Sequence, residues 1–201
     1  MFEEKSLAAS RDGCCLDVPP PREGGNRPGK ATGLISLDPV CASDETFLYQ
    51  TYASTRSEEM ALTGWSPDQQ GPFLRMQFEA QRTSYSAQFP RAGYWVIEFD
   101  GAPAGRLIVD RSGPEILLID IALLPQFRQK GIGSALMGQL LEEATQTGKA
   151  IRLHVERFNP ILPWYQRLGF RTVAESAIYL EMVWTTGTLD SNELRRVEQC
   201  I

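Results

Sequence analysis

The sequence predicts a layered α/β domain with a mixed central sheet of about seven strands flanked by about four helices. Short runs of β-branched and aromatic residues alternate along the chain with longer segments of helical period. The chain has 201 residues, 42% of them hydrophobic, which suffices for one domain with a substantial core. A helical pattern that joins two apolar runs near the middle of the chain predicts a right-handed crossover between parallel strands.

The two ends of the chain differ from the part between them. Residues 1–32 are rich in Pro and Gly and show no apolar period, which predicts a disordered segment. Residues 185–201 are polar and predict a flexible tail. The domain itself is expected to cover residues 33–184.

The first half of the domain predicts a strand, two helices and a hairpin. The strand covers residues 33–37, and Ser43 is expected to cap the first helix. Ser66 and the proline that follows it predict the start of a second helix, which runs towards residue 88. Two strands, 94–99 and 106–109, are joined through an Asp-Gly turn typical of a hairpin.

The second half predicts four strands and two helices. A strand at 116–124 leads into a glycine-rich loop and a helix over 131–147, which ends at Gly148. A strand at 151–156 follows, and a short helix at 161–168 ends at Gly169. Two last strands are predicted near 170–173 and 178–184.

The loop between the fourth strand and its helix predicts a pyrophosphate site. The first amides of a helix have no intrahelical partner, and the helix dipole places partial positive charge there. Glycines let a ligand approach the backbone, and two basic side chains add positive charge. The residues concerned are Arg128, Gln129, Lys130, Gly131, Ile132, Gly133 and Ser134.

Two familiar phosphate-binding patterns do not fit this chain. A dinucleotide-binding loop needs a third glycine where this chain has Leu136. A Walker loop is approached only at residues 24–31, where Ala31 lacks the hydroxyl that would hold magnesium. No strand precedes that segment, so we interpret it as a chance match.

The pattern that remains is Arg-x-x-Gly-x-Gly, formed by Arg128, Gly131 and Gly133. It resembles the pyrophosphate loop of the GNAT superfamily of acetyl-CoA-dependent N-acetyltransferases. A second block is similar to the other signature of that family, an asparagine followed by Leu-Tyr-x-x-Leu-Gly-Phe. In this chain the block is Asn159-Pro160 and then Trp164-Tyr165-Gln-Arg-Leu168-Gly169-Phe170. The resemblance covers roughly residues 33–184 and implies a GNAT-like fold.

The resemblance also implies the reaction and several roles. It implies an acyltransferase that moves the acetyl group of acetyl-CoA to a primary amine by direct attack in a ternary complex. The fourth strand would be bulged and would diverge from its parallel neighbour, so that the pantetheine arm contacts the backbone of Ile121, Ala122 and Leu123. The Leu123 amide would stabilise the oxyanion, Tyr165 would protonate the departing thiolate, and Asn159 would contact the cosubstrate.

The sequence leaves open which group removes the proton from the amine. His154 lies on the fifth strand, where some relatives carry a glutamate base, and a neutral imidazole can accept a proton near pH ~7. It is equally consistent with a half-buried structural histidine. Asp120 is the only charge in the fourth-strand apolar run, so it is either a site residue or half of a structural ion pair. A chain of water molecules is a third alternative.

The acceptor is expected to be a small-molecule amine or an amino-acid-like molecule, with a peptide amine as a further alternative. The available pocket residues are Tyr49, Tyr52, Glu58, Glu59, Trp65, Phe73, Met76, Trp164 and Tyr179. A net charge of −5 argues against nucleic-acid binding and agrees with a cationic substrate. A CoA-binding regulatory protein without turnover, and transfer of a longer acyl group, are the rival interpretations.

Composition and sequence patterns also bear on membrane association, metal binding and cellular location. No apolar run approaches the roughly 20 residues of a membrane span, and the N-terminus lacks a signal-peptide pattern, so no membrane association is expected. The four cysteines and the single histidine form no metal-binding pattern, which predicts no metal cofactor. These features predict a cytoplasmic protein with reduced thiols. A homodimer is left open.

Overall fold

The computed structural model describes residues 33–187 and contains, within that range, one seven-stranded mixed sheet with helices on both faces. The predictions for residues 1–32 and for most of the tail lie outside the described residues. The strand order is β1-β2-β3-β4-β5-β7-β6, and every neighbouring pair is antiparallel except β4 and β5. The predicted fold class and the parallel crossover are therefore confirmed.

The strands lie close to their predicted positions. They are β1 (Ile35–Pro39), β2 (Gly93–Phe99), β3 (Ala102–Asp110), β4 (Ile116–Leu123), β5 (Ile151–Glu156), β6 (Arg171–Glu175) and β7 (Tyr179–Trp184). The hairpin between β2 and β3 turns at Asp100 and Gly101, which have φ angles of 52° and 74°. This left-handed turn is the geometry that an Asp-Gly pair favours in a hairpin.

The described residues contain five α-helices rather than about four. They are α1 (Glu45–Thr55), α2 (Ser57–Thr63), α3 (Pro67–Gln88), α4 (Ile132–Thr147) and α5 (Leu162–Arg167). Two 3₁₀ turns, Ala42–Asp44 and Pro125–Phe127, precede α1 and α4. The helix that the sequence did not predict is α2, in which Met60 alone is buried.

The expected cap of the first helix is wrong. The amide of Cys41 donates to Asp44 Oδ2 at 2.9 Å, and the amide of Asp44 donates to the Cys41 carbonyl at 3.0 Å. These bonds close a 3₁₀ turn that contains Ser43, so α1 begins only at Glu45. The predicted start of α3 is confirmed, because Pro67 is its first residue and the Ser66 amide donates to Gln69 Oε1 at 3.0 Å.

Two hydrophobic clusters hold the layers together. The larger one packs α4 and α5 onto one face of the sheet and includes Trp95, Leu107, Ile116, Met137 and Met182. The smaller one joins the first three helices and consists of Tyr52, Met60, Leu74 and Phe78. Because side chains alternate along a strand, the same strands present their other residues to α1 and α3. We call the face of the sheet towards α1 and α3 the acceptor-side face.

Candidate active site

The two parallel strands at the centre of the sheet separate towards their C-terminal ends. Pairing between β4 and β5 covers only Ile116–Leu118 and Ile151–Leu153. On its other side β4 carries a bulge, since Val109 faces Leu118 while Ile108 faces Asp120, which leaves Ile119 as the extra residue. A bulge bends the strand that contains it. The bulge and the divergence that the resemblance implied are confirmed.

Because β4 and β5 diverge, backbone groups at the end of β4 that point away from β3 face a gap instead of a paired strand. The amide of Leu124 donates to the Ala104 carbonyl at 2.9 Å, so it points towards β3. Backbone groups of successive strand residues point to opposite sides. The amide of Leu123 therefore faces the gap beside β5, where a ligand can reach it. The adjacent Gly105 is required, because a Cβ at that position would lie 2.1 Å from the Ala122 carbonyl oxygen.

The loop after β4 exposes the start of a helix to this gap. Gln129 and Gly131 have left-handed φ angles of 61° and 80°, which turn the chain into α4. The first intrahelical bond runs from the Ala135 amide to the Gly131 carbonyl at 2.9 Å, so the amides of residues 132–134 precede the ladder. A Cβ on Gly133 would meet nothing within 4 Å, which shows open space beside the helix start. The loop thus fits a pyrophosphate, as the sequence predicts.

The two basic residues of the loop are placed differently. The ammonium of Lys130 lies 5.1 Å from the ring centroid of Phe127 and 5.7 Å from that of Phe99. The guanidinium of Arg128 donates from Nε to the Leu123 carbonyl at 2.9 Å and from Nη2 to the Ser54 carbonyl at 3.3 Å. Arg128 thereby ties the loop to the end of β4 and to α1. Its role at the pyrophosphate stays a prediction.

Tyr165 lies on α5 and is buried, with 6% of its surface exposed. Its ring packs between those of Trp164 and Phe170, at centroid distances of 5.1 and 5.6 Å. Burial, and after it the negative charge of Asp120, raises the pKa of Tyr165 to about 12. The phenol is therefore protonated at neutral pH and can donate a proton.

Asn159 has a structural role at the start of α5. Its side-chain oxygen accepts a hydrogen bond from the Ile161 amide at 3.0 Å, and its carbonyl accepts from the Leu162 amide at 3.0 Å. The side-chain oxygen is thus engaged locally, whereas the amide group of the side chain retains its capacity to donate. The predicted contact with the cosubstrate remains compatible with this arrangement.

Asp120 lies on the diverging part of β4, with 19% of its side chain exposed, and is ion-paired. Its Oδ2 atom is 2.5 Å from Arg106 Nη2, although the angle falls outside that of a hydrogen bond, so the contact is an ion pair rather than a well-formed bond. Arg106 also donates from Nη2 to Gln81 Oε1 at 2.8 Å. Arg106 was not among the residues predicted for the site. The available signal was that it is the only charge in the buried run of β3.

His154 is exposed on β5, so the alternative of a half-buried structural histidine is wrong. Its neighbours on the same face are charged. Arg152 pairs with Glu115 at 2.6 Å and with Glu181, the cross-strand partner of His154. Glu156 pairs with Arg56 at 3.5 Å. The histidine therefore lies on the acceptor-side face in a row of acids and arginines, and its role as a base stays a prediction.

Six of the residues that were expected to line an acceptor pocket separate into two groups, while Trp164 packs against the larger hydrophobic cluster. Tyr49, Tyr52 and Phe73 pack within the helix cluster. Trp65, Met76 and Tyr179 are exposed. A residue that the sequence analysis did not name, Tyr85 on α3, accepts a hydrogen bond from Gln81 at 3.4 Å. Burial and then the charge of Asp120 raise the pKa of Tyr85 to about 12.

An exposed, glycine-lined helix start beside two diverging parallel strands has the geometry that suits a phosphate-bearing ligand lying extended between the strands. The model of the acetyltransferase (GNAT) family matches residues 58–170, which is more than half of the chain. The chain belongs to the GNAT acetyltransferase family and is an acyltransferase. The resemblance drawn from the two sequence blocks is confirmed.

Solved structures of this class share the fold. The PaiA N-acetyltransferase of Thermoplasma acidophilum, crystallised with coenzyme A, is 17% identical, with a TM-score of 0.57, and the match covers 76% of this chain and 99% of that one. The ribosomal-protein-S18-alanine N-acetyltransferase of Escherichia coli is 18% identical, with a TM-score of 0.53 and coverage of 79% and 98%. None of the curated proteins compared with the chain matches it.

Two further observations concern residues 33–187 only. They contain no group of three or more His, Cys, Asp or Glu side chains arranged to hold a metal ion. None of their helices combines the length and the apolar character needed to cross a membrane.

Proposed function

We propose that this protein transfers the acetyl group of acetyl-CoA to a primary amine, with the amine attacking directly while both substrates are bound. The acceptor is a small amine or an amino-acid-like molecule. The observation that carries the proposal is the gap between β4 and β5, which opens at the glycine loop and has a buried phenol, Tyr165, on the α5 side.

The residues around the gap fit the cosubstrate. The amides at the start of α4 and the side chain of Lys130 would hold the pyrophosphate. The backbone of residues 121–123 would pair with the pantetheine arm, because β5 no longer pairs with β4 there. Acetyl-CoA supplies the activated thioester, and the remaining chemistry falls to side chains and backbone amides of this chain.

Three tasks follow from aminolysis of a thioester. The Leu123 amide, which faces the gap, would donate to the carbonyl oxygen as negative charge develops there. Tyr165 would donate its proton to the departing thiolate, and its raised pKa keeps that proton available. The amine must arrive neutral, and His154, Asp120 or water would take its proton.

The charges of the acceptor-side face favour a cationic acceptor. Five carboxylates on or beside this face, Glu59, Glu115, Asp120, Glu156 and Glu181, are paired with three arginines, Arg56, Arg106 and Arg152. The excess of negative charge would attract an ammonium before it is deprotonated.

The test is turnover of acetyl-CoA against a panel of primary amines, read by release of the CoA thiol. Acetylated amine identified by mass spectrometry would support the proposal. Binding of CoA without thiol release from any amine, or from a peptide N-terminus, would instead indicate a regulatory CoA-binding protein. Release only with peptides would move the acceptor to a protein N-terminus.

A further inference from the structure

A cavity of about 50 Å³ lies between α3 and the β2–β3 pair on the acceptor-side face. A single water needs about 10–15 Å³ of such space, so the cavity accommodates roughly three to five water-sized atoms. Its wall is mainly apolar and includes Val40, Leu48, Phe78 and Ile108. An apolar wall of this kind favours a short hydrocarbon segment over water.

Two residues that line the cavity, Ile108 and Arg106, also lie next to Asp120 in the proposed reaction site. Ile108 is the cross-strand partner of Asp120, and Arg106 contacts the Asp120 carboxylate at 2.5 Å. Asp120 itself lies on the part of β4 that has separated from β5. A molecule whose amine lies beside Asp120 can therefore extend its other end along Arg106 into the cavity.

Three lining residues carry buried donors that make no hydrogen bond within the described part of the chain. They are the hydroxyl of Tyr94, Nε1 of Trp95 and Nε of Arg106, whose residue is only 7% exposed. Trp95 belongs to the larger hydrophobic cluster on the opposite face of the sheet, so Tyr94 and Arg106 are the two on the acceptor-side face. A buried donor without an acceptor is unfavourable, so a small displacement of the Tyr94 ring that brings its hydroxyl to an oxygen atom in the cavity would be stabilised. Gln81 fixes the Arg106 guanidinium through the bond from Nη2.

The oxygen that suits this position is a neutral one. Asp110 lies near enough to Tyr94 to contribute, after burial, to the raised pKa of that phenol. Asp120 lies at the opposite end, beside Arg106. A carboxylate in the cavity would face both acids, whereas a hydroxyl, ether or amide oxygen would accept hydrogen bonds without that repulsion.

We propose that this cavity is the acceptor-specificity pocket, and that it takes the short hydrocarbon chain of a primary amine ending in a neutral oxygen that Tyr94 binds. The inference rests on the proposed acetyl transfer, because it places the reacting amine beside Asp120. It adds the substrate class, a short amino alcohol, amino ether or amino amide, and names Tyr94 as a specificity-determining residue.

The first test compares two acceptors of equal length, 4-amino-1-butanol and pentylamine. The wild-type protein should acetylate the amino alcohol with a kcat/KM about three- to ten-fold higher, the range expected for one neutral hydrogen bond. Tyr94→Phe removes only the hydroxyl and should abolish this preference. An equal preference in both proteins, or none in the wild type, would overturn the proposal and leave the cavity to water.

The second test fills the cavity. Leu48→Trp should lower kcat/KM for 4-amino-1-butanol and for pentylamine by roughly ten-fold. The value for ethylamine, which is too short to enter the cavity, should change by less than about two-fold. Leu62→Trp on the exposed face of α2 is the matched control. Equal losses for ethylamine and the longer amines would contradict a pocket role.

The two proposals fail in different ways. Absence of thiol release from acetyl-CoA with every amine would refute the acetyl transfer itself. The pocket would still be tested by calorimetric titration of 4-amino-1-butanol into the CoA-saturated wild-type and Tyr94→Phe proteins. Binding to the wild type that weakens in Tyr94→Phe supports the pocket, and identical binding or none excludes it.

Discussion

The guanidinium of Arg106 lies 2.5 Å from the carboxylate of Asp120, and this contact joins β3 to the diverging part of β4. Asp120 reaches that position because the bulge at Ile119 shifts the strand by one residue. Arg106 is almost fully buried, so removal of its charge leaves Asp120 without compensation in a partly buried place.

The first prediction concerns the stability that this pair provides. Arg106→Met should lower the free energy of unfolding by about 1–3 kcal/mol, less than a fully buried pair because Asp120 retains some exposure. Adding Asp120→Asn should recover part of the loss, since the unpaired charge is then gone. Urea unfolding followed by circular dichroism measures both effects.

The control for this prediction is Arg82→Met. Arg82 pairs with Glu79 at 2.7 Å on the exposed face of α3. Exposed pairs contribute little, so this variant should change the free energy of unfolding by less than about 0.5–1 kcal/mol. If Arg106→Met were as harmless as the control, the buried pair would have no stabilising role.

The second prediction concerns the phosphate loop. Gly133→Glu should abolish CoA binding, because the side chain enters the space beside the helix start with the charge that the pyrophosphate carries. The fold should persist, since an acid near a helix N-terminus is favourable and a Cβ there meets nothing within 4 Å. Calorimetric titration with CoA measures the affinity.

Gly138→Glu is the matched control, because it makes the same change on the same helix. Gly138 is exposed, and a Cβ there also meets nothing within 4 Å. It lies more than one turn beyond the helix start, so CoA affinity should stay within about three-fold of the wild type. Equal effects of the two variants would show that the helix start is not the CoA site.

Most of the fold could be predicted from sequence because the apolar period of its long elements is strong. The helix α4 shows it best, with Ile132, Leu136, Leu140 and Ala144 on one buried face. The helix α2 was missed because its seven residues include two acids and bury only Met60. Ser43 was a false cap because Cys41 and Asp44 close a turn around it, and a thiol is not a typical capping group.

The site residues could be predicted only where they belong to one continuous stretch of the sequence. The loop at Gly131 and the tyrosine at position 165 belong to continuous blocks, so their placement follows from local order. The pairing of Arg106 with Asp120 depends on the bulge at Ile119, which no pattern in the sequence marks. The cavity near Tyr94 depends on how α1 and α3 pack over β2 and β3, and the spacing between these layers is set by side chains from all four elements.

The third prediction concerns the proton donor. Tyr165→Phe keeps the ring between Trp164 and Phe170 and removes only the hydroxyl. If Tyr165 protonates the thiolate, kcat should fall by ~10²–10⁴ while CoA affinity changes little. Because the pKa of Tyr165 is raised to about 12, the wild type should show no loss of activity from this group as pH rises to about 10. Stopped-flow thiol release measures kcat.

Tyr49→Phe is the control for the loss of a phenol. Its hydroxyl donates to the Gly71 carbonyl at 3.3 Å, within the helical layer and outside the gap between β4 and β5. Its kcat should stay within about two-fold of the wild type. Full turnover in Tyr165→Phe would show that the thiolate takes its proton from water or from another group.

The fourth prediction separates the candidates for the base. An imidazole base produces an acidic limb in the pH profile of kcat/KM, because the protonated ring cannot accept a proton. His154→Gln should remove that limb and lower the plateau, and its exposed position means that the fold tolerates the change. Asp120→Asn should keep the limb if His154 is the base. An acidic limb that survives in His154→Gln and vanishes in Asp120→Asn would assign the proton transfer to Asp120. A pH profile unchanged in both variants would assign it to water, because neither side chain then controls the protonation state of the amine.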